Sequence, residues 1–424
     1  MRFVTPVALA LTLALTSGVV AAPAFAAKKE KAESAPKLNV SPAVIKPLQA
    51  AQAAMAKNDF ATAKASIAEA EALAKSPDDR YQVNAVRLNL SISTKDPALQ
   101  GDALRAMLDS GLVPAGQVGQ FSGIVAESDL AAKNYDSALA RAQTALKAGY
   151  MPQAVNVTIA QAYFGKAGTG NMNVEPGRTN TVNGLAALKA AIESSKAAGQ
   201  AVPAQWYKIG VSRAAAAKSP DMGEWARLAY QAEPSGENLR TLIRIFQQGN
   251  PNISTRENLD VLRLMAASGG LVLAGDYLEY AETASRLGIY GEVKTAIDSG
   301  RSKGVLNASQ GSDFYQPAVA RIAGDKSTLG AAEADSRKGA NGKIAAATAD
   351  AQMGYGNYAK ASELFALALQ KGGVDADEVN TRLGIAKALG GDVAGAKAAF
   401  GAVQAGARKQ IAGLWLTYLA TKGA

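Results

Sequence analysis

The sequence predicts an all-α protein made of consecutive antiparallel helix hairpins. From about residue 43 onward, Ala-rich stretches of roughly 13 to 17 residues carry apolar side chains at i, i+3, i+4 and i+7, the spacing of one helix face. Short Gly, Pro, Asp or Asn turns separate these stretches. Runs of alternating Val, Ile and Thr, which would indicate strands, are absent. We therefore expect helices throughout and essentially no sheet.

Residues 1–26 have the composition of a secretory signal peptide. Arg2 is their only charged residue, an apolar run follows, and Ala24-Phe25-Ala26 provides a small-x-small cleavage signal before Ala27. A membrane anchor is the alternative, but Thr and Ser interrupt the run, which falls short of the roughly 20 apolar residues that a span needs. We expect an exported protein, periplasmic or secreted, that is not an integral membrane protein.

Residues 27–41, with the sequence AKKEKAESAPKLNVS, are predicted to be a flexible charged linker. The stretch has few large apolar side chains, so it cannot bury enough surface to offset the entropy cost of ordering. An alternative role for its lysines is contact with acidic lipid or polysaccharide. We interpret the segment as a solvated tether in front of the helical part of the chain.

A recurring spacing appears in four segments of the helical part. An aromatic residue or Val directly follows a Gly, Asn or Asp turn, and Ala stands three residues later. The four leading pairs are Phe60 and Ala63, Tyr135 and Ala138, Tyr358 and Ala361, and Val393 and Ala396. The last two leading residues are 35 positions apart. A fixed period of this size is typical of helical repeat arrays.

The spacing resembles the tetratricopeptide repeat, a helix-turn-helix unit with a period of about 34 residues. Leu383-Gly384 stands where the family has its small-residue pair in the first helix, and Ala229 with Pro234 matches its closing Ala-x4-Pro. The resemblance implies a right-handed superhelical solenoid of antiparallel hairpins over residues 42–424. The helical segments of the sequence number roughly 21. Small residues let the helices approach closely, and the aromatic residue fills the space between neighbouring hairpins.

Two segments depart from the repeat. Residues 166–183 are rich in Gly, Asn and Thr and are predicted to form a long loop. They lack the spacing of a phosphate-binding loop, so we interpret them as a mobile insertion, with ligand contact as the alternative. Residues 408–422 are predicted to be a C-terminal capping helix, with Ile411 and Trp415 on its apolar side and Lys409 elsewhere.

The composition limits the chemistry that the chain can perform. The 424 residues include 0 His and 0 Cys, which excludes Ser-His-Asp triads, Cys-His pairs, histidine metal sites and disulfides. The formal net charge is +9, but the basic side chains are scattered and form no stripe typical of nucleic-acid-binding proteins. We expect no enzyme activity, no cofactor, no metal site and no nucleic-acid partner.

Five side chains are candidates for chemistry or ligand stacking. Glu279 and Glu282 lie at i and i+3 on one predicted helix, and paired carboxylates can hydrolyse glycosides without histidine. On an amphipathic repeat helix we interpret them as solvated. Trp206, Trp225 and Trp415 fall within apolar helical patterns and are interpreted as core residues, with an exposed ring that stacks on a sugar or peptide as the alternative.

The family resemblance also bears on the mode of binding. Some tetratricopeptide proteins hold a peptide carboxylate with Lys, Asn and Arg on the first helices of successive repeats. The matching groove-facing positions here carry Gln52, Glu127, Asp350 and Ile385, so that clamp is not reproduced. Met353 is expected on the same groove side as Ile385.

The favoured hypothesis is an exported scaffold or adaptor that binds another protein or peptide through a concave groove. The alternative is a binding protein for carbohydrate or another cell-envelope polymer, which exposed aromatic side chains along the groove would favour. An enzyme built on the same array is a third hypothesis without a visible catalytic constellation. Within the repeat, Phe365 is predicted to be buried and Lys371 to be exposed on the same helix.

Overall fold

The computed structural model describes residues 38–170 and 172–422. All the regular secondary structure in these residues is α-helical and forms 20 helices, which confirms the predicted all-α class. The predicted signal peptide, and residues 27–37 of the predicted linker, lie outside the described residues. None of the helices within the described part is both long enough and apolar enough to cross a bilayer.

The chain divides into two compact units. Unit 1 contains the described residues up to Trp206 together with Ser212–Ser219, and unit 2 contains Tyr207–Val211 and the residues from Pro220 onward. Helix α9 (Ala204–Ala216) therefore contributes residues to both units. The other helices of unit 1 are α1 (Pro42–Ala56), α2 (Phe60–Leu73), α3 (Pro77–Thr94), α4 (Pro97–Asp109), α5 (Ala115–Ala131), α6 (Tyr135–Lys147), α7 (Pro152–Ala167) and α8 (Gly177–Ala197).

Unit 1 is a row of helix hairpins. Helices α1 and α2, α3 and α4, α5 and α6, and α7 and α8 pack as pairs, and each pair contacts the next. Tyr135, the leading aromatic residue of α6, lies against Gly165 of α7, where a Cβ would meet its ring at 2.4 Å. The predicted arrangement, in which a small residue makes room for an aromatic ring between hairpins, is thus present at this junction.

The last residues of the predicted linker are tied to the first hairpins of unit 1. Asp79, in the first turn of α3, accepts hydrogen bonds from the amide of Ser41 at 2.7 Å and from its hydroxyl at 2.5 Å. The neighbouring Asp78 accepts one from the amide of Asn39 at 2.7 Å. Residues 38–41 are therefore held in place and do not behave as the flexible tether expected for the whole of 27–41.

The predicted long loop is shorter in the structure. Helix α7 continues to Ala167 and α8 begins at Gly177, so the segment between them comprises residues 168–176. Thr181 shows why the composition misleads, because its hydroxyl donates to the carbonyl oxygen of Gly177 inside the helix. A polar stretch of Thr and Asn that begins with Gly is typical of a loop. Here its side chains hydrogen-bond within the first turns of a helix.

Unit 2 contains the remaining helices and one continuous hydrophobic core. This core runs from Ala226 to Leu419. The helices are α10 (Met222–Ala232), α11 (Gly236–Gly249), α12 (Thr255–Ala267), α13 (Ala274–Arg286), α14 (Tyr290–Ser302), α15 (Ser312–Lys338), α16 (Lys343–Gly354), α17 (Tyr358–Lys371), α18 (Ala376–Leu389), α19 (Val393–Gly401) and α20 (Gly406–Ala420).

The best-matched repeats of the sequence form the hairpins α16–α17 and α18–α19. Gly384 of α18 lies under the ring of Phe400 of α19, where a Cβ would approach the ring to 2.6 Å. Phe365 is fully buried, as predicted. Lys371, however, is only partly exposed, because its ammonium group donates to the carbonyl oxygens of Arg337 and Gly339 at the end of α15. The prediction that Lys371 is a free surface residue was wrong.

The C-terminal helix α20 packs between α12 and α18. Trp415 is fully buried, and its indole N–H donates to the carbonyl oxygen of Asp260 in α12 at 3.2 Å. The Tyr418 hydroxyl donates to the carbonyl oxygen of Ala267 at 3.0 Å. The row of helices from α12 onward therefore closes on itself within unit 2, and α20 completes that closure.

Candidate functional site

The first helices of unit 1 carry accessible side chains at positions predicted to face a groove; we call this set of positions the first-helix surface of unit 1. On α5 the residues Gln120, Ile124 and Glu127 follow one another at the spacing of one helix face, and all three are exposed or half-buried. Gln52 on α1, another position predicted to face the groove, is half-buried. Polar, apolar and charged side chains on these first helices are therefore accessible to a ligand.

Glu127 is an accessible carboxylate of this surface that nearby protein partly desolvates. Its side chain is exposed, yet burial by surrounding protein raises the pKa of its carboxyl above the ordinary value. The ring of Tyr150 lies on Gly123, one turn before Glu127, where a Cβ would meet the ring at 2.7 Å. Burial, and after it the nearby charge of Glu127, raises the pKa of the Tyr150 hydroxyl, so the two side chains are neighbours.

The corresponding first-helix positions of unit 2 are buried by neighbouring side chains. Asp350 and Ile385, the two predicted groove positions in this unit, are buried, and so is Met353. The prediction that Ile385 and Met353 line a groove was wrong, because both belong to the hydrophobic core of unit 2. Charges introduced at these two residues would disrupt packing and would not report on binding.

A network of charged side chains occupies the centre of unit 2. Asp260 of α12 is fully buried and pairs with Arg263 at 2.7 Å, with Arg408 of α20, and with Arg382 of α18 at 3.5 Å. Arg263 also bonds Glu292 of α14 at 2.7 Å. Three buried arginines thus meet buried carboxylates from several helices, which satisfies charges that would otherwise be costly to bury.

The network shifts the pKa values of its carboxyl groups in opposite directions. Burial alone would raise the pKa of Asp260, but its arginine partners outweigh burial and hold it below the usual value. Burial raises the pKa of Asp350, since its pairing with Arg382 at 2.7 Å compensates only in part. One oxygen of Asp350, Oδ1, is buried without a hydrogen-bond partner.

Sequence analysis missed this network, although a local signal for it exists. Asp260 and Arg263 stand three residues apart within the run LDVLRLM, with apolar residues on both sides. A charged pair at i and i+3 inside a continuous apolar run indicates a buried ion pair, since a solvated pair would interrupt the apolar face. The partners on α14, α16, α18 and α20 had no comparable signal.

A shallow groove of about 350 Å³ lies along α11 and α13 in unit 2. Its floor is polar, and the polar groups bond one another: Glu279 accepts from Arg244 at 2.6 Å and from Asn258 at 3.1 Å. Gln247 donates to Asn258 at 2.7 Å. Because these side chains satisfy one another, a ligand would have to break existing hydrogen bonds to bind here.

The two carboxylates weighed for catalysis have different surroundings. Glu279 belongs to the groove floor just described, so it is not simply solvated as interpreted from the sequence. Glu282 is at the surface and pairs with Arg286 at 2.6 Å, one helical turn away. With both carboxylates bound to arginines, the structure gives no support to a general acid and base pair at this place.

The structure also places the three tryptophans and the segment 168–176. Trp225 and Trp415 are buried, as interpreted, and Trp206 is half-buried. The ring of Trp225 packs on Gly210 of α9. In the segment 168–176, Glu175 accepts a hydrogen bond from the amide of Thr179 in the first turn of α8, a helix-capping contact.

Comparisons with known proteins identify no family. No family model matches the chain, and no curated protein matches its sequence. Among solved structures, the chain is similar to Naa15/Naa10 bound to HypK-THB, with 14% identity, a TM-score of 0.24, and coverage of 87% of this chain and 64% of that chain. The chain thus spans less than two thirds of the length of that protein.

Two further structures show likenesses of the same order. The APC/C hetero-tetramer Cut9-Hcn1 shares 11% identity with a TM-score of 0.20, over 90% of this chain and 68% of that chain. Yeast Tom70 shares 8% identity with a TM-score of 0.21, over 90% of this chain and 96% of that chain. These values identify neither a family nor a partner.

Proposed function

We propose that the chain is an exported, non-catalytic scaffold that binds a polypeptide partner on the first-helix surface of unit 1. The supporting observation is the accessible row Gln120, Ile124 and Glu127 on α5, contrasted with the filled face at Asp350 and Ile385 in unit 2. The export part of the proposal is supported by the sequence of residues 1–26 alone.

The chemistry of the row suits a polypeptide. The amide of Gln120 offers both a donor and an acceptor, as a peptide group requires. Ile124 adds apolar surface and Glu127 adds a charge, so the row combines the three contact types found at protein interfaces. A cell-envelope carbohydrate is the alternative, favoured by the half-buried ring of Tyr150, although Gly123 covers part of that ring.

Site-specific crosslinking tests the proposal. Since the chain contains 0 Cys, a Gln120→Cys variant can be labelled at one site with a photo-crosslinker and exposed to envelope extract. The matched control is Gln143→Cys, at an exposed position on α6, the second helix of the same hairpin. We expect one dominant polypeptide adduct with Gln120→Cys and none with Gln143→Cys.

Other outcomes would contradict the proposal. Equal crosslinking at the two sites, or none, would remove the first-helix surface as the binding site. Binding to purified envelope polysaccharide that Gln120→Arg abolishes would favour the carbohydrate alternative. Hydrolysis of an envelope polymer by the purified protein, abolished by a single carboxylate substitution, would show that the chain is an enzyme.

A further inference from the structure

We propose that Glu127 and Tyr150 form a binding point for a cationic side chain, lysine or arginine, of the partner. This inference rests on the proposed function, because it names the chemistry that the first-helix surface of unit 1 recognises. It also differs from the carboxylate recognition that the family resemblance would suggest, since the charge offered here is negative.

The first argument is the absence of an internal partner for Glu127. Within the described residues, no ion pair and no hydrogen bond reaches the carboxylate of Glu127. Asp129, two residues further on the same helix, provides the contrast: it is buried and bonds Arg105 at 2.5 Å and the Ser137 hydroxyl at 2.6 Å. Helix α5 thus carries one carboxylate that stabilises the fold and one that the fold leaves unused.

The second argument is that three of the four basic residues on the helices packed against α5 are paired with other carboxylates. Helices α4, α6 and α7 pack against α5. Arg105 pairs with Asp102 and Asp129, Arg141 with Asp109, and Lys166 with Asp136. The fourth basic residue, Lys147, is exposed in the last turn of α6. The other titratable groups on α5, on these helices and in the connection after α6 are Asp129, Tyr135, Tyr150 and Tyr163.

The third argument is the surface around the carboxylate. Tyr150 presents an aromatic ring beside Glu127, and Ile124 lies one turn away on the accessible face. Lysine and arginine pack their aliphatic stems on apolar surface while the charged end meets a carboxylate or the face of a ring. An amide or a hydroxyl ligand would leave the charge of Glu127 without compensation.

Desolvation supports the same assignment. Burial by the surrounding protein raises the pKa of Glu127, so the ionised carboxylate is partly desolvated in the free protein. A bound cation would relieve that cost.

A peptide titration tests the inference. The probe is a fluorescein-labelled peptide of six Gly-Lys repeats, and its fully acetylated form serves as the uncharged reference. We expect the Glu127→Gln variant to bind the lysine peptide about tenfold more weakly than the wild type, the loss of one charge-assisted contact. The control Glu193→Gln, an exposed glutamate on α8, should bind like the wild type.

The pH dependence and the thermal stability separate a binding role from a structural one. Binding needs ionised Glu127, so wild-type affinity should fall as the pH falls through the raised pKa of this group, and Glu127→Gln should lack that step. The melting temperature of Glu127→Gln should equal or exceed that of the wild type, because a desolvated charge is removed. A lowered melting temperature would indicate a structural role and overturn the inference.

The results also distinguish this inference from the proposed function. Equal affinity of Glu127→Gln and the wild type for the lysine peptide, together with a specific crosslink at Gln120→Cys, would reject the cation site and leave the scaffold proposal intact. Absence of a specific crosslink at Gln120→Cys would reject both the cation site and the scaffold proposal. Equal binding of the lysine peptide and its acetylated form would reject the cation site as well.

Discussion

Arg408 in the C-terminal helix and Asp260 in α12, 148 positions apart, form a buried ion pair in the centre of unit 2. The pair joins the last helix to the third helix of the unit. Trp415 reinforces the same junction through the carbonyl oxygen of Asp260. Unit 2 therefore has a contact of high sequence separation in addition to the contacts between consecutive hairpins that define a repeat array.

Replacing Arg408 should destabilise unit 2. Arg408→Ala leaves Asp260 with one partner fewer in a buried site, and breaking a buried pair costs about 3 to 5 kcal/mol. Chemical denaturation followed by tryptophan fluorescence measures the change. The adjacent Lys409 is exposed, so Lys409→Ala should stay within about 0.5 kcal/mol of the wild type. Equal effects of the two changes would contradict closure of the unit by α20.

Phe365→Ala should lower the free energy of unfolding by about 3 to 5 kcal/mol, because the ring is fully buried in the core of unit 2 and its removal leaves a cavity. Lys371 is unsuitable as the surface control, since its ammonium group caps α15. Lys397, exposed on α19, replaces it and should tolerate Ala with little change. Chemical denaturation curves of Phe365→Ala and Lys397→Ala measure the two free energies of unfolding, and equal losses would contradict burial of Phe365 in the core.

Asp79→Asn should release the segment 38–41 and reduce stability by about 1 to 3 kcal/mol, since hydrogen bonds to a charged acceptor are lost. Burial alone would raise the pKa of Asp79, but hydrogen bonds from Ser41 and Ser76 outweigh it and hold the pKa well below the usual range. Amide hydrogen exchange at Ser41 reports the release directly. Asp78→Asn is the comparison and should have the smaller effect, because among the described residues Asp78 accepts only the hydrogen bond from the amide of Asn39.

The sign of the pH effect at Asp79 follows from its lowered pKa. A carboxyl whose pKa is lower in the folded state contributes stability above its unfolded pKa of about 3.9, and this contribution is lost as the pH falls toward the folded value. The difference in stability between the wild type and Asp79→Asn should therefore shrink below about pH 4. A difference that is constant down to strongly acidic pH would contradict this assignment.

The mature protein should begin at or near Ala27 and be recovered from the periplasmic or extracellular fraction. The expectation rests on the apolar run and the Ala24-Phe25-Ala26 signal. Intact-mass analysis of protein isolated from its native source measures the N-terminus. Retention of Met1 in protein that sediments with membranes would show that the segment is an anchor.

The helices and several of their junctions were predictable because the forces that form them are local. Apolar side chains at helical spacing indicate which face is buried, and Asp, Ser or Asn before a run indicates where a helix starts. The sequence also placed Gly384 at the small-residue position of a first helix, and the structure shows that it makes room there for the ring of Phe400. The start of α8 was missed because Thr181 and its polar neighbours favour loops on average.

The sequence by itself determined the helical class, the hairpins and the absence of histidine and cysteine chemistry, and it predicts an export signal in residues 1–26. Only the tertiary structure decided which first-helix faces stay accessible. Glu127 and Asp350 occupy equivalent positions in the repeat pattern, yet one is exposed and the other is buried. The physical reason is long-range packing within unit 2: Asp350 pairs with Arg382 of α18, and α18 packs against α12 and α20. Contacts between helices this far apart in sequence are not encoded by any local pattern of residues.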